Sequence, residues 1–485
     1  MKKVLTLLAA ISLVQSFAFS RISGTQTSSE IFRSTLEGER GLVALDQSLR
    51  DLTNPFTIAC LAAHAEDIDF GTLAYYRKNL GARTVILLAT RNESGGHYEA
   101  APITDAQPSL VSTLKTARLV GADVYMLGLK DFGYSKSADE ALSVWGRDAA
   151  LARLVRAIRL VKPDCIITSH DTESGHGQHR ALAQLMIAAF DAAGDEKQFS
   201  SPDTEAWQPR RLFQKSGEEL TSVRVALNQM DHVRGLTYAK IGEQASRLIT
   251  MASDWVRADV KASDREYYKL IRQRGEEKIR PGGSLIDGLA LAENIRRAVE
   301  PPRAGLGTIV EAIAARSQLI EALTEKLIEK RTEGTIEEMR QRYGPEYFRV
   351  VQFTGKVERA LALALGLSFD IEPSDRVLLP GQAFSLRMKF TNSSERFVSV
   401  AFHTPQTFSP ELKKVPSRPS EPFAASGGGS VTHEVKYEMP LDALQKIPRA
   451  DEEIYFPLAS APPDIKHEDM FGNRLVAVAE VGLGQ

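Results

Sequence analysis

Cysteine is scarce in this chain. Its 485 residues carry only Cys60 and Cys165, which rules out a disulfide framework as the source of stability. Each cysteine stands inside an apolar run, Phe56 to Ala63 and Asp164 to Thr168. Both are therefore expected as free, buried thiols in neighbouring strands. Beyond the N-terminus, no apolar run is long enough to cross a bilayer. An excess of either charge is missing too. Sixty Lys and Arg stand against 62 Asp and Glu, a formal net charge of -2. With that balance and no basic run, neither nucleic acid nor an anionic membrane surface is expected as the main partner.

The first twenty residues do carry a signal. Lys2 and Lys3 precede an apolar stretch from Val4 to Phe19, and Ala18-Phe19-Ser20 is a small-x-small cleavage site. This pattern predicts a secretory signal peptide over residues 1–20 and hence a secreted or periplasmic protein. Its apolar core is short for a membrane anchor.

Residues 21–55 read as a polar lead-in with a helix over Glu30 to Leu52. From Phe56 strands and helices alternate. Strand runs are expected at Phe56 to Ala63, Thr84 to Ala89, Val124 to Leu127 and Asp164 to Thr168. Helical runs at Gly71 to Leu80, Leu110 to Leu119, Ala149 to Val161 and Arg180 to Ala193 separate or follow them. Continuous apolar strands alternating with helices predict an α/β fold, a Rossmann-like and mostly parallel sheet covered by helices on both faces. We assign it to residues 56–263. Residues 264–365 read as a helical accessory region, with amphipathic spacing from Ile309 to Lys330. From 366 to 485, short alternating strands separated by turn signals such as Pro380-Gly381 and Asn392-Ser393 predict an immunoglobulin-like β-sandwich. That part is expected to fold separately.

Two motifs carry the chemistry. Ala63-His64-Ala65-Glu66-Asp67 ends the first strand, and His176-Gly177-Gln178-His179 opens a helix after the fourth. In a parallel sheet, ligands bind beyond the carboxyl ends of the strands, where both motifs fall. His64 and Asp67 are three residues apart, so one helix-like turn brings their side chains to one side. Glu66 then points elsewhere and can reach a metal-bound water without being a ligand. Of His176 and His179, one can bind metal while the other faces a substrate. Two imidazoles and a carboxylate with an open position form a catalytic rather than a structural metal arrangement. The spare carboxylate and imidazole suit proton transfer and oxyanion stabilisation.

Ala63-His-Ala-Glu-Asp67 resembles the Ala-His-Pro-Asp-Asp motif of the PIG-L/LmbE-like zinc-dependent N-acetylglucosaminyl deacetylases, and His176-x-x-His179 resembles their second motif. Thr90-Arg-Asn-Glu-Ser-Gly-Gly96 is similar to their Thr-Arg-Gly-Glu-Gly-Gly loop, and Asp131 to Ser137 to a segment of larger secreted members. The resemblance covers roughly residues 40–250. It implies Zn2+ held by His64, Asp67 and His179, Glu66 as general base, and His176 at the oxyanion or the leaving amine. It further implies that Arg91, Glu93 and Asp131 line the substrate pocket, Asp131 bonding a sugar hydroxyl. From the residues alone, Arg91 and Glu93 are equally a surface ion pair, and Asp131 a turn residue. This chain departs from the motif at three positions: Ala65 replaces the proline, Glu66 the aspartate, and Ile68 the glutamate that usually follows. The expected activity is removal of an N-acetyl group from an amino sugar or glycoconjugate. The alternative motivated by the three departures is a catalytically weakened, deacetylase-like carbohydrate-binding protein. The sequence does not indicate an oligomeric state.

Overall fold

A computed structural model describes residues 39–91, 106–201, 204–250, 263–280, 282–302, 307–374, 381–396, 398–407, 413–414, 423–425, 427–438, 441, 454–456 and 475–483. The segment read as a signal peptide and Glu93 lie outside the described residues.

Helix α1 (Gly41–Thr53) leads into β1 (Thr57–Ala62), a 3-10 turn (Ala65–Asp67) and α2 (Phe70–Ala74), which continues as a π-helical turn to Asn79. Next come β2 (Arg83–Leu88), α3 (Ala106–Val120), β3 (Asp123–Met126), α4 (Ala138–Trp145), α5 (Arg147–Val161), β4 (Cys165–Thr168) and α6 (Gly177–Ala192). The chain continues through β5 (Arg211–Lys215), β6 (Val223–Ala226), β7 (Met230–Asp231), β8 (Leu236–Thr237), α7 (Tyr238–Thr250) and β9 (Arg265–Gln273). A helical stretch follows: α8 (Glu293–Ala298), α9 (Ile309–Ala314), α10 (Arg316–Arg331), α11 (Ile336–Tyr343) and α12 (Tyr347–Leu365). The last part holds β10 (Leu367–Pro373), β11 (Ala383–Asn392), β12 (Val398–Thr407), β13 (Lys413–Lys414), β14 (Phe423–Ala425), β15 (Ser430–Glu438), β16 (Ile454–Phe456) and β17 (Leu475–Leu483).

The central sheet has the order β16-β3-β2-β1-β4-β5-β9-β6. Its middle, β3-β2-β1-β4-β5, is parallel, and the outer pairings of β16, β9 and β6 are antiparallel. Every residue of β1 and β2 is buried, as expected of strands covered on both faces. Alternate residues of β1 serve opposite cores. Ala59 and Leu61 pack with α4, α5 and α6, and Ile58, Cys60 and Ala62 with α2, α3 and α7. Helix α5 stops where Lys162 turns left-handed, at φ 52, just ahead of Pro163, because the residue before proline is barred from helical backbone. Both cysteines are free and buried.

The boundary expected at 263/264 is not where the sheet ends. Residues 265–273, read as the start of the helical region, are strand β9 of the central sheet. Nor does the core stop at residue 365. Leu45 and Leu49 of α1, Leu319 of α10 and Val357 and Leu361 of α12 share one cluster with Phe369, Met388 and Tyr437 of the strands beyond. Past residue 366 the chain forms two antiparallel sheets, β10-β11-β15-β13 and β14-β12-β17. It also returns to the central sheet: β16 pairs with the outer edge of β3, Tyr455 opposite Tyr125. This strand and the shared core join the C-terminal part to the rest of the molecule.

Candidate functional site

In the order β3-β2-β1-β4-β5 the chain reverses direction between β1 and β4. That switch point is where the connections leave on opposite faces and a crevice opens at the carboxyl ends. His64 follows β1 there, and His170, His176 and His179 follow β4. The two strand ends are tied together. Thr168 Oγ1 donates to Leu61 O at 3.0 Å, and Ala63 N–H donates to His170 Nε2 at 2.9 Å.

The first motif folds as the 3-10 turn with His64 as its N-cap. Asp67 Oδ2 accepts the His64 backbone N–H at 2.9 Å, which brings the carboxylate under the imidazole. In the second motif, His176 is the N-cap of α6 and His179 stands one turn into the helix. Gly177 lets this helix start press against the loop after β3. Its N–H donates to Ser135 O at 2.7 Å, and a Cβ there would lie 2.0 Å from the carbonyl oxygen of Ser137.

Three atoms then form an equilateral triangle. His64 Nδ1, Asp67 Oδ2 and His179 Nε2 lie 3.3 Å from one another along each edge. A tetrahedral ion with imidazole and carboxylate bonds of about 2.0–2.1 Å places its donor atoms about 3.3–3.4 Å apart. The residues present therefore fit a metal ion. His176 is a further neighbour, its ring 4.0 Å from that of His179 and 5.3 Å from that of His64. The sets His64, His176, His179 and Asp67, His170, His179 can each converge on an ion. His170, however, already uses Nε2 to accept the Ala63 N–H.

The electrostatics follow from the crowding. Burial pulls the His64 imidazolium down, but the Asp131 and Asp67 carboxylates outweigh it and hold its pKa well above the ordinary value. Burial alone raises Asp67, and His170, His179 and His64 together bring it well below the usual carboxylate range. Desolvation lowers His170 and His176 to about 4 each, with His179 and His64 repelling the charged form of both. Glu66 is exposed by surface, yet enough protein surrounds it for desolvation to raise its pKa. His64 opposes that shift and Asp67 adds to it. A cleft of about 330 Å³ opens beside it, lined by Glu66, Asp67, Ser169, Lys215, Glu243 and Glu266 among others.

Of the residues singled out from sequence, His64, Asp67, His176 and His179 converge at the carboxyl ends of β1 and β4, and Glu66, next to Asp67, lines the adjoining cleft. Arg91 is buried at 6% exposure past the carboxyl end of β2. Asp131 does not stand on the cleft wall. It is 4% exposed behind His64, 3.8 Å from Nε2, and its Oδ1 accepts from Gly133 N–H and from the Gln178 amide. Sequence reasoning missed Ser135, His170 and Gln178. Ser135 Oγ lies 3.1 Å from His176 Nδ1 and accepts the Gln178 N–H at 2.6 Å. Gln178 stood between the two motif histidines and Ser135 within the Asp131 to Ser137 segment, while His170 carried no signal.

Among solved structures, the chain is similar to the conserved protein TT1542 from Thermus thermophilus, at 23% identity over 40% of this chain and 77% of that one, with a TM-score of 0.31. It is also similar to GalB, the 4-carboxy-2-hydroxymuconate hydratase from Pseudomonas putida, at 14% identity over 46% of this chain and 100% of that one, with a TM-score of 0.31. No curated relative matches. The model of the PIG-L family, the GlcNAc-PI de-N-acetylases, matches residues 59–190, and the part of the chain that carries the site is a domain of that family.

Proposed function

We propose that this protein is a secreted or periplasmic zinc-dependent hydrolase that removes an N-acetyl group from an amino sugar or glycoconjugate. The observation that carries this reading is the 3.3 Å triangle of His64 Nδ1, Asp67 Oδ2 and His179 Nε2 inside a PIG-L domain. Two imidazoles and a carboxylate suit zinc and leave one coordination position open. When bound, zinc supplies a Lewis acid for the amide carbonyl and lowers the pKa of a bound water to ~7. Glu66, beside Asp67 on the cleft, takes the proton of the attacking water, and its raised pKa strengthens it as that base. His176 has its Nδ1 engaged by Ser135 and by the Gln178 N–H at 3.3 Å, which leaves Nε2–H for the developing oxyanion. The substrate pocket is assigned to Arg91, Glu93 and Asp131 on the family resemblance. Secretion rests on the Lys2-Lys3 and Val4 to Phe19 pattern. The two C-terminal sheets are read as an immunoglobulin-like sandwich, supported by Val398 of β12 sharing a core with Leu386, Met388 and Val435.

The test is acetate release from a panel of N-acetylated amino sugars by zinc-loaded protein. Glu66→Gln should keep the metal and lose turnover by roughly 100- to 10,000-fold. Glu66→Asp, which restores the residue the family carries, should stay active. Equal rates for wild type and Glu66→Gln would remove Glu66 from the mechanism. A zinc-loaded wild type that releases no acetate from any member would favour the carbohydrate-binding alternative.

A further inference from the structure

Gln178 is fully buried between the two metal-site histidines, and all its polar atoms are placed. Its side-chain amide donates through Nε2 to Gly133 O at 2.7 Å and to Asp131 Oδ1 at 3.3 Å. Because Nε2 must face those two acceptors, Oε1 is the atom that faces His64, 3.2 Å from its Nε2. An amide oxygen only accepts. The His64 nitrogen opposite it therefore has to carry a hydrogen. On the other side of the same ring, Nδ1 faces Asp67 and His179 across the two 3.3 Å edges.

We propose that Gln178 is a positioning residue that locks the proton of His64 on Nε2 and so commits Nδ1 to the metal. Resting on the proposed metal site, the inference concerns how this chain selects one nitrogen of one ligand. A histidine that binds metal through one nitrogen is oriented by the hydrogen bond made by the other. Carboxylates commonly fill that role. Here the nearer contact is a neutral amide, itself held by the loop after β3, with the Asp131 carboxylate standing farther back at 3.8 Å from Nε2. Asp131 belongs to the same support, since its Oδ1 takes both the Gly133 N–H and the Gln178 amide. The loop Asp131 to Ser135 thereby acts on the metal site from behind, through Gln178. The reaction site itself stays on the opposite side of the ring.

The experiment is nitrogen-15 NMR of the histidine rings in full-length protein, metal-free and zinc-loaded, together with zinc titration of the metal-free form. In wild type, His64 Nε2 should show a bonded proton in both states, and Nδ1 should be the nitrogen whose resonance moves on zinc addition. Gln178→Leu removes the acceptor and should weaken zinc binding by roughly 10- to 100-fold. Gln178→Glu keeps an oxygen opposite Nε2 but loses the amide donor to Gly133 O and Asp131, so its zinc affinity should fall between those of wild type and Gln178→Leu. Wild-type His64 Nε2 without a bonded proton overturns the proposal. So does a folded Gln178→Leu protein with wild-type zinc affinity. If Gln178→Leu fails to fold, the wild-type spectrum decides. If wild-type protein takes up no zinc, the hydrolase reading fails; metal-free protein brought to a pH at which His64 is neutral then decides, since the inference requires the one remaining proton on Nε2.

Discussion

At the scale of single residues, the site is governed by where its protons sit. His64 stands well above its ordinary pKa because Asp131 and Asp67 outweigh its burial. In metal-free protein a raised histidine adds stability that is fully present below its unfolded value of about 6.5 and is lost as pH rises through the folded value. Asp67 is shifted the other way, so its contribution holds above about 3.8 and is lost as pH falls through its depressed folded value. The pair therefore favours the metal-free fold most in the window between those two reference values. Metal reverses the balance, since a ligand imidazole must give up its Nδ1 proton. Zinc uptake should release protons, and apparent affinity should rise between about pH 6 and pH 8. Titrations in buffers of different ionisation enthalpy would count the protons. Equal affinity across that range would show that His64 is not a ligand. The histidines and acids of the two motifs were legible because their types and spacing carry chemistry. Ser135, His170 and Gln178 were not, since each acquires its meaning from a partner on another loop.

At the scale of elements, helix α12 is bolted to the catalytic sheet by a buried ion pair. Arg349 Nη2 lies 2.7 Å from Asp164 Oδ1, both side chains fully buried, and Arg349 Nη1 also donates to Pro55 O at 2.8 Å. Burial lowers the Arg349 pKa, but Asp164 outweighs it. Asp164 is the residue ahead of β4, the strand that presents the second histidine motif. Breaking a buried pair from one side leaves an uncompensated charge and costs roughly 3–5 kcal/mol. Arg349→Met should therefore lower the urea midpoint by a corresponding amount, while zinc content per folded chain stays unchanged. An unaltered midpoint would mean that Arg210, 3.7 Å from Asp164, suffices alone. Strands β1 to β4 were read to within a residue or two, because buried apolar runs leave few alternatives, whereas β5 and β6 were not read as strands. Strand β9 was missed because Arg265–Gln273 is half-buried and rich in charge, which resembles neither a central strand nor a clean alternation.

At the scale of the whole molecule, the C-terminal part is not an appendage. It supplies Phe369, Leu386, Met388, Phe390, Val435 and Tyr437 to the core that also buries α1, α10 and α12. It further supplies β16, which covers the edge of β3, and an uncovered edge invites pairing with other chains. A chain ending at Gly366 keeps His64, Glu66, Asp67, His176 and His179 yet exposes Val357, Leu361 and Leu365. Each large apolar side chain uncovered costs about 1.5–3 kcal/mol. Truncation should therefore give mostly aggregated protein that binds a hydrophobic dye, measured as soluble yield and fluorescence. A soluble, monomeric product with wild-type melting temperature and metal content would show that the shared core is dispensable.

The sequence by itself determined the alternation of strands and helices from Phe56 to Ala193, the two histidine motifs, and their place at the carboxyl ends of β1 and β4. These are local properties: apolar periodicity, turn residues and ligand types are all written within a few positions of one another. Tertiary structure alone decided that His64, Asp67 and His179 meet in a 3.3 Å triangle. It also decided that Asp131 stands 3.8 Å from His64 Nε2, and that residues 454–456 return to the sheet beside β3, far back along the chain. Contacts between residues that distant depend on how whole faces pack, and no local pattern encodes which faces those are.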